Sequence, residues 1–399
     1  MLPFYRPYFD HSELLAALRP GGGSREFESA LAARVGAKYG VAFAYGRTGL
    51  IAVLRALGIS QAEVILPAYT CLVMAQAVVA SGNRPVFVDI DLADYNMDIS
   101  LLRTALTSQT RAVVATHLYG YPTDVDAIRA TIGDDHTIVI EDCAQGLLTP
   151  FPGTTGLRGD IGLFSFGPNK QLSTIQGGVI VTDSSDLYAK ILAYREGETQ
   201  QAAIKVWARR WARLIGSYLV FNKPTYGLLQ RAGIIGWGSR ESDGVNPSAS
   251  EMPSDYATAY MGFQGRVGLA QLRKLDTVLT KRRALADVYD RELQGLSGLV
   301  PAPVVGGATY AQYTVRVSQR DEIDFPLRML AHGVAVDQAY DYALPYLRPY
   351  RSYARGEYPC AEQVAREVVN LPIYPDLSAA DARYVAGCTR RALKEGFQS

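Results

Sequence analysis

The chain is short of several things that would place it elsewhere. Its 399 residues include only four cysteines (Cys71, Cys143, Cys360 and Cys388), scattered and with no C-x-x-C spacing. That argues against a zinc site or disulfide framework and for reduced thiols, so a cytoplasmic protein with no metal site is expected. No run of about 18 apolar residues occurs, so no transmembrane helix is expected. The opening MLPFYRPYFD places prolines and Asp10 where a signal peptide needs a continuous apolar stretch. Neither charge sign is in excess: 40 Lys+Arg against 39 Asp+Glu leaves +1, no basis for binding nucleic acid. There is no internal repeat, no low-complexity tract, and no G-x-G-x-x-G after the first apolar run, which removes the dinucleotide-binding fingerprint. Lysine is scarce too. The cations are mostly arginine, and Lys170 is the sole lysine between Lys38 and Lys190.

What is present is a rhythm. Short apolar runs (VAFAY 41–45, EVIL 63–66, PVFVDI 85–90, AVVATH 112–117, TIVIE 137–141, GLFSF 162–166 and GVIVT 178–182) read as strands. Between them GLIAVLRALG (49–58), CLVMAQAVVASG (71–82) and DVDAIRATIG (124–133) have helical period. Such alternation predicts an α/β domain whose mostly parallel sheet is covered on both faces. Ligands of such sheets collect at the carboxyl ends of the strands, and His117, Asp142 and Ser165 fall at or near those ends. After about 195 the rhythm breaks. IKVWARRWARLIGSYLVF (204–221) reads as a basic amphipathic helix, with Ile204, Trp207, Trp211, Leu214 and Tyr218 on one stripe and Arg209, Arg210 and Arg213 largely off it. A Gly/Ser/Pro-rich stretch (236–255) reads as a loop, 267–293 as one long helix, 309–317 as a strand and 325–333 as a short helix ending in glycine. The division expected is a large domain over 1–255, with an atypical insertion at about 204–254, and a smaller α+β domain over 256–399.

Lys170 ends FSFGPNK, 28 residues after Asp142 of VIEDCAQ. An amine and a carboxylate, each just past an apolar strand, is the pairing that holds pyridoxal phosphate: the amine bonds the cofactor aldehyde and the carboxylate keeps the ring nitrogen protonated. A carboxylate buried there needs a cationic partner. Glu141 lies on the opposite strand face, so only one of the two can point into the site. YGRTGL (45–50) follows a strand and opens a helix, where Gly46 allows close backbone approach to a phosphate and Arg47 and Thr48 offer amides, the Thr48 hydroxyl and a cation, with Ser165 as a second hydroxyl. The GGG at 21–23 follows no strand and reads as a loop before a helix at 24–36.

These motifs together resemble the DegT-type sugar aminotransferases, a fold-type I pyridoxal-phosphate family. The resemblance rests on GGGSREFESALAARVGAKYGVAFAYGRTGL, EVILPAYTCLVMAQAVVASGNRPVFVDID, THLYGYPTDVDAI, VIEDCAQ, DIGLFSFGPNK, GGVIVT, VGLAQL and AREVVNLPIYPDLS, which span most of the chain. It implies Lys170 as the cofactor-linked lysine and proton carrier, Asp142 as the ring-nitrogen partner, Gln145 beside the phenolic oxygen, Ser165 as a phosphate ligand, and Gly46 and Arg47 at the phosphate-binding glycine and threonine. It also implies a homodimer with sites at the subunit interface, and transfer of an amino group from glutamate or glutamine to a keto sugar, usually nucleotide-linked. The chain departs from the family in three places. Cys71 stands where an aromatic residue stacks on the ring, with Tyr69 on the same face if the chain is extended. Ala257 stands where the neighbouring subunit sends an asparagine to the phosphate. The 204–254 stretch is longer than the family leads one to expect.

Lysine at 170 argues against the family's sugar dehydratases, which carry histidine there. The alternatives are another pyridoxal-phosphate reaction on a sugar, such as epimerisation or elimination, and a non-catalytic scaffold. For 204–221 the readings are a helix covering the site or a dimer contact, and a peripheral membrane-surface helix. His117 is either a hydrogen-bonding group near the cofactor or a satisfied strand-end histidine. The 25 tyrosines have no functional account at this level.

Overall fold

The computed structural model describes residues 1–149, 157–220, 225–226, 228–229, 251–321 and 323–398. Its centre is a seven-stranded sheet in the order β1-β7-β6-β5-β4-β2-β3, built from β1 (Tyr39–Phe43), β2 (Glu63–Pro67), β3 (Arg84–Val88), β4 (Thr110–Thr116), β5 (Ile138–Asp142), β6 (Ile161–Ser165) and β7 (Gly178–Thr182). Pairings among β2 to β6 are parallel and β7 runs antiparallel to both neighbours. All seven apolar runs read from the sequence are strands, most displaced by one or two residues.

Side-chain alternation decides which face each strand residue serves. Phe43, Leu66, Val114, Ile140, Leu163 and Ile180 pack with helices α3 (Gly46–Ala56) and α4 (Leu72–Ala80). On the other face Val113, Ala115 and Val139 pack with α5 (Ile99–Ala105) and α6 (Val125–Ile132), and Phe164, Val179 and Val181 with α2 (Ser24–Arg34); α1 (His11–Leu18) precedes α2, and α7 (Ser185–Glu198) follows β7. Asp142 and Ser165 share the parity of Ile140 and Leu163, so both point to the α3–α4 face. Glu141 shares that of Val139 and points away.

Glycine sets how closely α3 lies on the sheet. A Cβ on Gly178 would stand 2.5 Å from both N and Cα of Gly46, and one on Gly49 would stand 2.8 Å from Ile180 Cδ1. The N-terminus of α3 therefore rests on the first residue of β7, beside the carboxyl end of β6, with no side chain between.

The second half departs from the sequence reading in its details. The long helix expected over 267–293 is two, Gly262–Leu272 and Leu275–Leu293. The break falls where Gln271 donates to Tyr8 O (2.8 Å) and Glu13 Oε1 (2.8 Å), and where the Lys274 amine meets Glu13 and lies over the Tyr8 ring. These contacts hold the first helix to the N-terminal segment and let the second turn away. The strand expected over 309–317 is confined to Tyr313–Val317, because Tyr310 takes a left-handed φ of 47°. That strand is the centre of a small antiparallel sheet with Leu299–Val300 and Val368–Leu371. Helix α8 (Ile204–Val220) forms as expected, but its inner face differs: Arg210 and Leu214 are the buried residues, while Ile204 is 80% and Trp207 47% exposed. Most of the 236–255 loop lies outside the described residues. No described helix is long and apolar enough to cross a membrane.

Candidate active site

A cavity of about 290 Å³ opens at the carboxyl ends of β4, β5 and β6, lined by Thr116, Asp142 and Ser165. Its walls include Gly46 and Arg47 of α3, Cys71 ahead of α4, Gln145, Lys170, Arg209 and Arg213 of α8, Asp255 and Tyr340. Of the residues singled out from the sequence, Gly46, Arg47, Cys71, Asp142, Gln145, Ser165 and Lys170 meet here. Thr48 and Tyr69 do not line the cavity. The Thr48 hydroxyl donates to Tyr256 O (2.9 Å), and Tyr69 is buried with its hydroxyl 2.7 Å from that of Tyr119.

Asp142 is 4% exposed and accepts a hydrogen bond from Ala144 N–H (3.0 Å). Burial pushes its carboxyl up, against the pull of that N–H and of the nearby Lys170 and His117. A carboxylate so placed is poised for a cation: desolvation has been met in part, and the hydrogen bonds to it are too few to satisfy it. Lys170 follows the turn in which its N–H reaches Gly167 O (3.2 Å), and its half-buried side chain faces the cavity.

At the other end, the first amides of α3 have no partner inside the helix, and the helix dipole favours an anion. A Cβ on Gly46 would meet Ser165 Cβ at 3.3 Å and Leu163 Cδ2 at 3.4 Å, so a side chain there would crowd the recess between α3 and the β6 end. The Arg47 guanidinium donates to Gln76 Oε1 (2.8 Å) and lies 5.3 Å from the Tyr45 ring centroid. Gln145 accepts from Tyr119 N–H (2.7 Å) and donates to the Tyr340 hydroxyl (3.0 Å), which locks its amide.

The lining also holds residues that the sequence did not assign to the site, among them Tyr340, Asp255, Gln176, Arg209 and Arg213. Tyr340 comes from the C-terminal region with a left-handed φ of 63° and stacks on Tyr119 (centroids 6.1 Å apart, planes at 22°). Burial and the neighbouring Cys71 push its hydroxyl far above the ordinary tyrosine range. No spacing in VDQAYDYALPY marks it. Asp255 accepts from the Tyr45 hydroxyl (2.6 Å) and Arg209 (2.5 Å), with Arg210 at 3.5 Å. Burial works to raise this carboxyl, but Tyr45, the two guanidiniums and Gln176 outweigh it and hold it low. Tyr45 is pushed up to about 12 by burial and by that carboxylate.

His117 is a satisfied strand-end residue. Its Nδ1 accepts from Thr123 N–H (3.0 Å), which puts the proton on Nε2, 3.1 Å from Glu141 Oε2. Glu141 also accepts the amides of Arg158 and Gly159. Cys143 lies near enough to complete a buried three-ligand cluster, but both imidazole nitrogens and the carboxylate are already engaged. Nothing about the cluster calls for a metal.

The profile of the DegT/DnrJ/EryC1/StrS aminotransferase family matches residues 13–221 and 254–390. Among curated relatives, a UDP-N-acetyl-3-dehydro-alpha-D-glucosamine 3-aminotransferase of Acidithiobacillus ferrooxidans is 30% identical over 379 residues, covering 94% of this chain and 89% of that one. A GDP-perosamine synthase of Escherichia coli O157:H7 is 26% identical, covering 92% and 88%. Among solved structures, the aminotransferase TlmJ of Streptoalloteichus hindustanus superposes with a TM-score of 0.77 at 25% identity, over 99% of both chains.

Proposed function

This chain belongs to the DegT/DnrJ/EryC1/StrS aminotransferase family, and from that membership we propose that it is a pyridoxal-phosphate-dependent transaminase that moves an amino group from glutamate or glutamine to a nucleotide-linked keto sugar. The observation that carries the reading is the cavity that brings Lys170, Asp142 and the N-terminus of α3 together at the strand ends. The UDP- and GDP-linked sugars in the names of its relatives support the substrate class.

The donor set fits the cofactor. A buried acid lacking a full set of hydrogen bonds, a lysine, and a helix N-terminus with a hydroxyl beside it match a ring nitrogen, an aldehyde and a phosphate. Pyridoxal phosphate supplies the aldehyde that carries the amino group and a ring that accepts electrons. Asp142 holds the proton on the ring nitrogen, its own carboxyl ionised by that cation. The α3 amides, Arg47 and the Ser165 hydroxyl hold the phosphate. Gln145, fixed by Tyr119 and Tyr340, orients the ring from the side. Lys170 Nζ would take the proton from the donor α-carbon, carry it as the ammonium and deliver it to the cofactor carbon on the far side of the transferred nitrogen, which requires that the amine be neutral before the first transfer. Tyr340, at the wall beside Cys71, supplies the aromatic surface that a thiol cannot, and α8 keeps bulk water from the mouth. The working form proposed is a homodimer.

The purified protein with pyridoxal phosphate is expected to show a visible absorption band that borohydride removes, and that L-glutamate or L-glutamine shifts to shorter wavelength. A band indifferent to every amino donor rejects transamination; no band at all rejects the cofactor.

A further inference from the structure

Helix α8 is turned against its own composition. Arg210 is fully buried, spending its guanidinium on Gln264 Oε1 (3.0 Å), Thr258 Oγ1 (3.0 Å) and Asp255 (3.5 Å). Ile204 and Leu219, 80% and 64% exposed, are left outside. Burying an arginine is costly, the more so because Arg210 Nε finds no hydrogen-bond partner among the described residues, yet the helix takes this orientation. It places Arg209 and Arg213, one turn apart, on the cavity wall.

Like charges at this spacing repel on a bare helix. Asp255 offsets Arg209, whereas Arg213 donates to the neutral amide of Gln176 (3.3 Å). Among the described residues, the lining carries Arg47, Lys170, Arg209 and Arg213 against Asp142 and Asp255. Two positive charges in excess, in a concave wall that focuses their field, suit a ligand that brings at least two negative ones. Guanidinium forks match phosphoryl oxygens in both shape and charge.

We propose that Arg209 and Arg213 form a phosphoryl clamp supplied by the chain's own α8. The proposal rests on the aminotransferase reading for its ligand chemistry. The phosphoryl group comes either from the cofactor or from the diphosphate of the acceptor, and the two are separable by experiment.

Arg213→Gln is the informative variant, since the residue is exposed and pairs with no carboxylate among the described residues; Arg213→Lys keeps the charge and loses the fork. UDP, GDP and uridine are titrated calorimetrically into the cofactor-loaded protein, and pyridoxal phosphate and pyridoxal into the apoprotein. Loss of one charge-assisted contact is expected to weaken phosphoryl binding by about tenfold or more, with Arg213→Lys in between and uridine unaffected. A fall confined to UDP and GDP assigns the clamp to the acceptor. A fall confined to pyridoxal phosphate relative to pyridoxal assigns it to the cofactor. If Arg213→Gln leaves both preferences as in the parent, there is no clamp. The absorption band of the parent protein is scored separately: its absence rejects the aminotransferase reading, while an intact band with unchanged preferences rejects the clamp alone.

Discussion

Gly178→Ala tests the site at its narrowest point. The new methyl carbon would stand 2.5 Å from Gly46 N and Cα and 2.8 Å from Tyr45 C, all backbone atoms that no rotamer change can clear. Ordinary contact begins at 3.4 Å, so the start of α3 must move by about 0.9 Å relative to β7. Overpacking of that kind costs about 1–3 kcal/mol of stability. The effect on the ligand is expected to be larger than the effect on the fold. A hydrogen bond of about 2.9 Å stretched by most of an ångström is no longer one, and each such bond to a charged group is worth about 1.5–3 kcal/mol. Affinity for pyridoxal phosphate should therefore fall about ten- to a hundredfold per amide displaced, while affinity for pyridoxal, which lacks the phosphate, changes little. Absorbance titration of the apoprotein with both compounds, beside thermal unfolding, gives the two numbers. Gly197→Ala is the control: it lies in the helix Ser185–Glu198 with nothing within 4 Å of the added carbon, and should leave stability equal or raised by up to about 1 kcal/mol. Parental pyridoxal-phosphate affinity in Gly178→Ala would refute the placement of phosphate at the α3 terminus.

Lys170→Ala should abolish turnover and the borohydride-sensitive band while leaving thermal unfolding of the apoprotein close to parental; residual turnover near the parent's would reject Lys170 as the proton carrier. Asp142→Asn should act in opposite directions on fold and function. Because burial raises the folded-state pKa of Asp142, the folded apoprotein holds that proton more tightly than the unfolded chain, so its contribution to stability is full below the ordinary carboxylate range and lost as pH rises through the raised value. At neutral pH the asparagine variant should then be as stable as the parent apoprotein or more so, with a flatter dependence on pH above the carboxylate range, yet bind cofactor less tightly and turn over slowly; a variant less stable than the parent at neutral pH would show that Asp142 is already paired. Tyr340→Ala should weaken cofactor binding and shift the absorption band, whereas Tyr340→Phe, which keeps the ring and loses the bond from Gln145, should retain most of the affinity. Equal loss in both would place the importance of Tyr340 in its hydroxyl.

What could be read from the sequence was what depends on neighbours in the chain. The seven strands follow from local apolar runs, and strand parity admits only one of Asp142 and Glu141 to the site; the packing of Ile140 and Val139 on opposite faces makes it Asp142. The helix start at Gly46 likewise follows from glycine after a strand. What escaped depends on distant partners. Arg210 looks like a surface residue until Gln264, Thr258 and Asp255 are brought to it, and on that reversal hangs the position of Arg209 and Arg213. Thr48 was expected at the phosphate because it is adjacent in sequence, but the helical turn carries its hydroxyl to Tyr256. Tyr340 reaches the cavity from nearly two hundred residues beyond Gln145, and no local pattern announces it.

The tyrosines of the C-terminal region also bind the two halves of the molecule into one. The hydroxyl of Tyr342 accepts the Leu72 N–H (3.0 Å), an amide that the Cys71 side chain leaves uncapped, and Leu344 N–H reaches Ala68 O (2.8 Å). The loop from β2 into α4, which forms one wall of the site, is thus finished by residues some 270 positions later. A fragment ending before Tyr340 would keep every strand of the large sheet and still lack a sealed binding site, so the segment from Tyr340 to the C-terminus is no detachable module. Evolution could exchange it only together with the wall it completes.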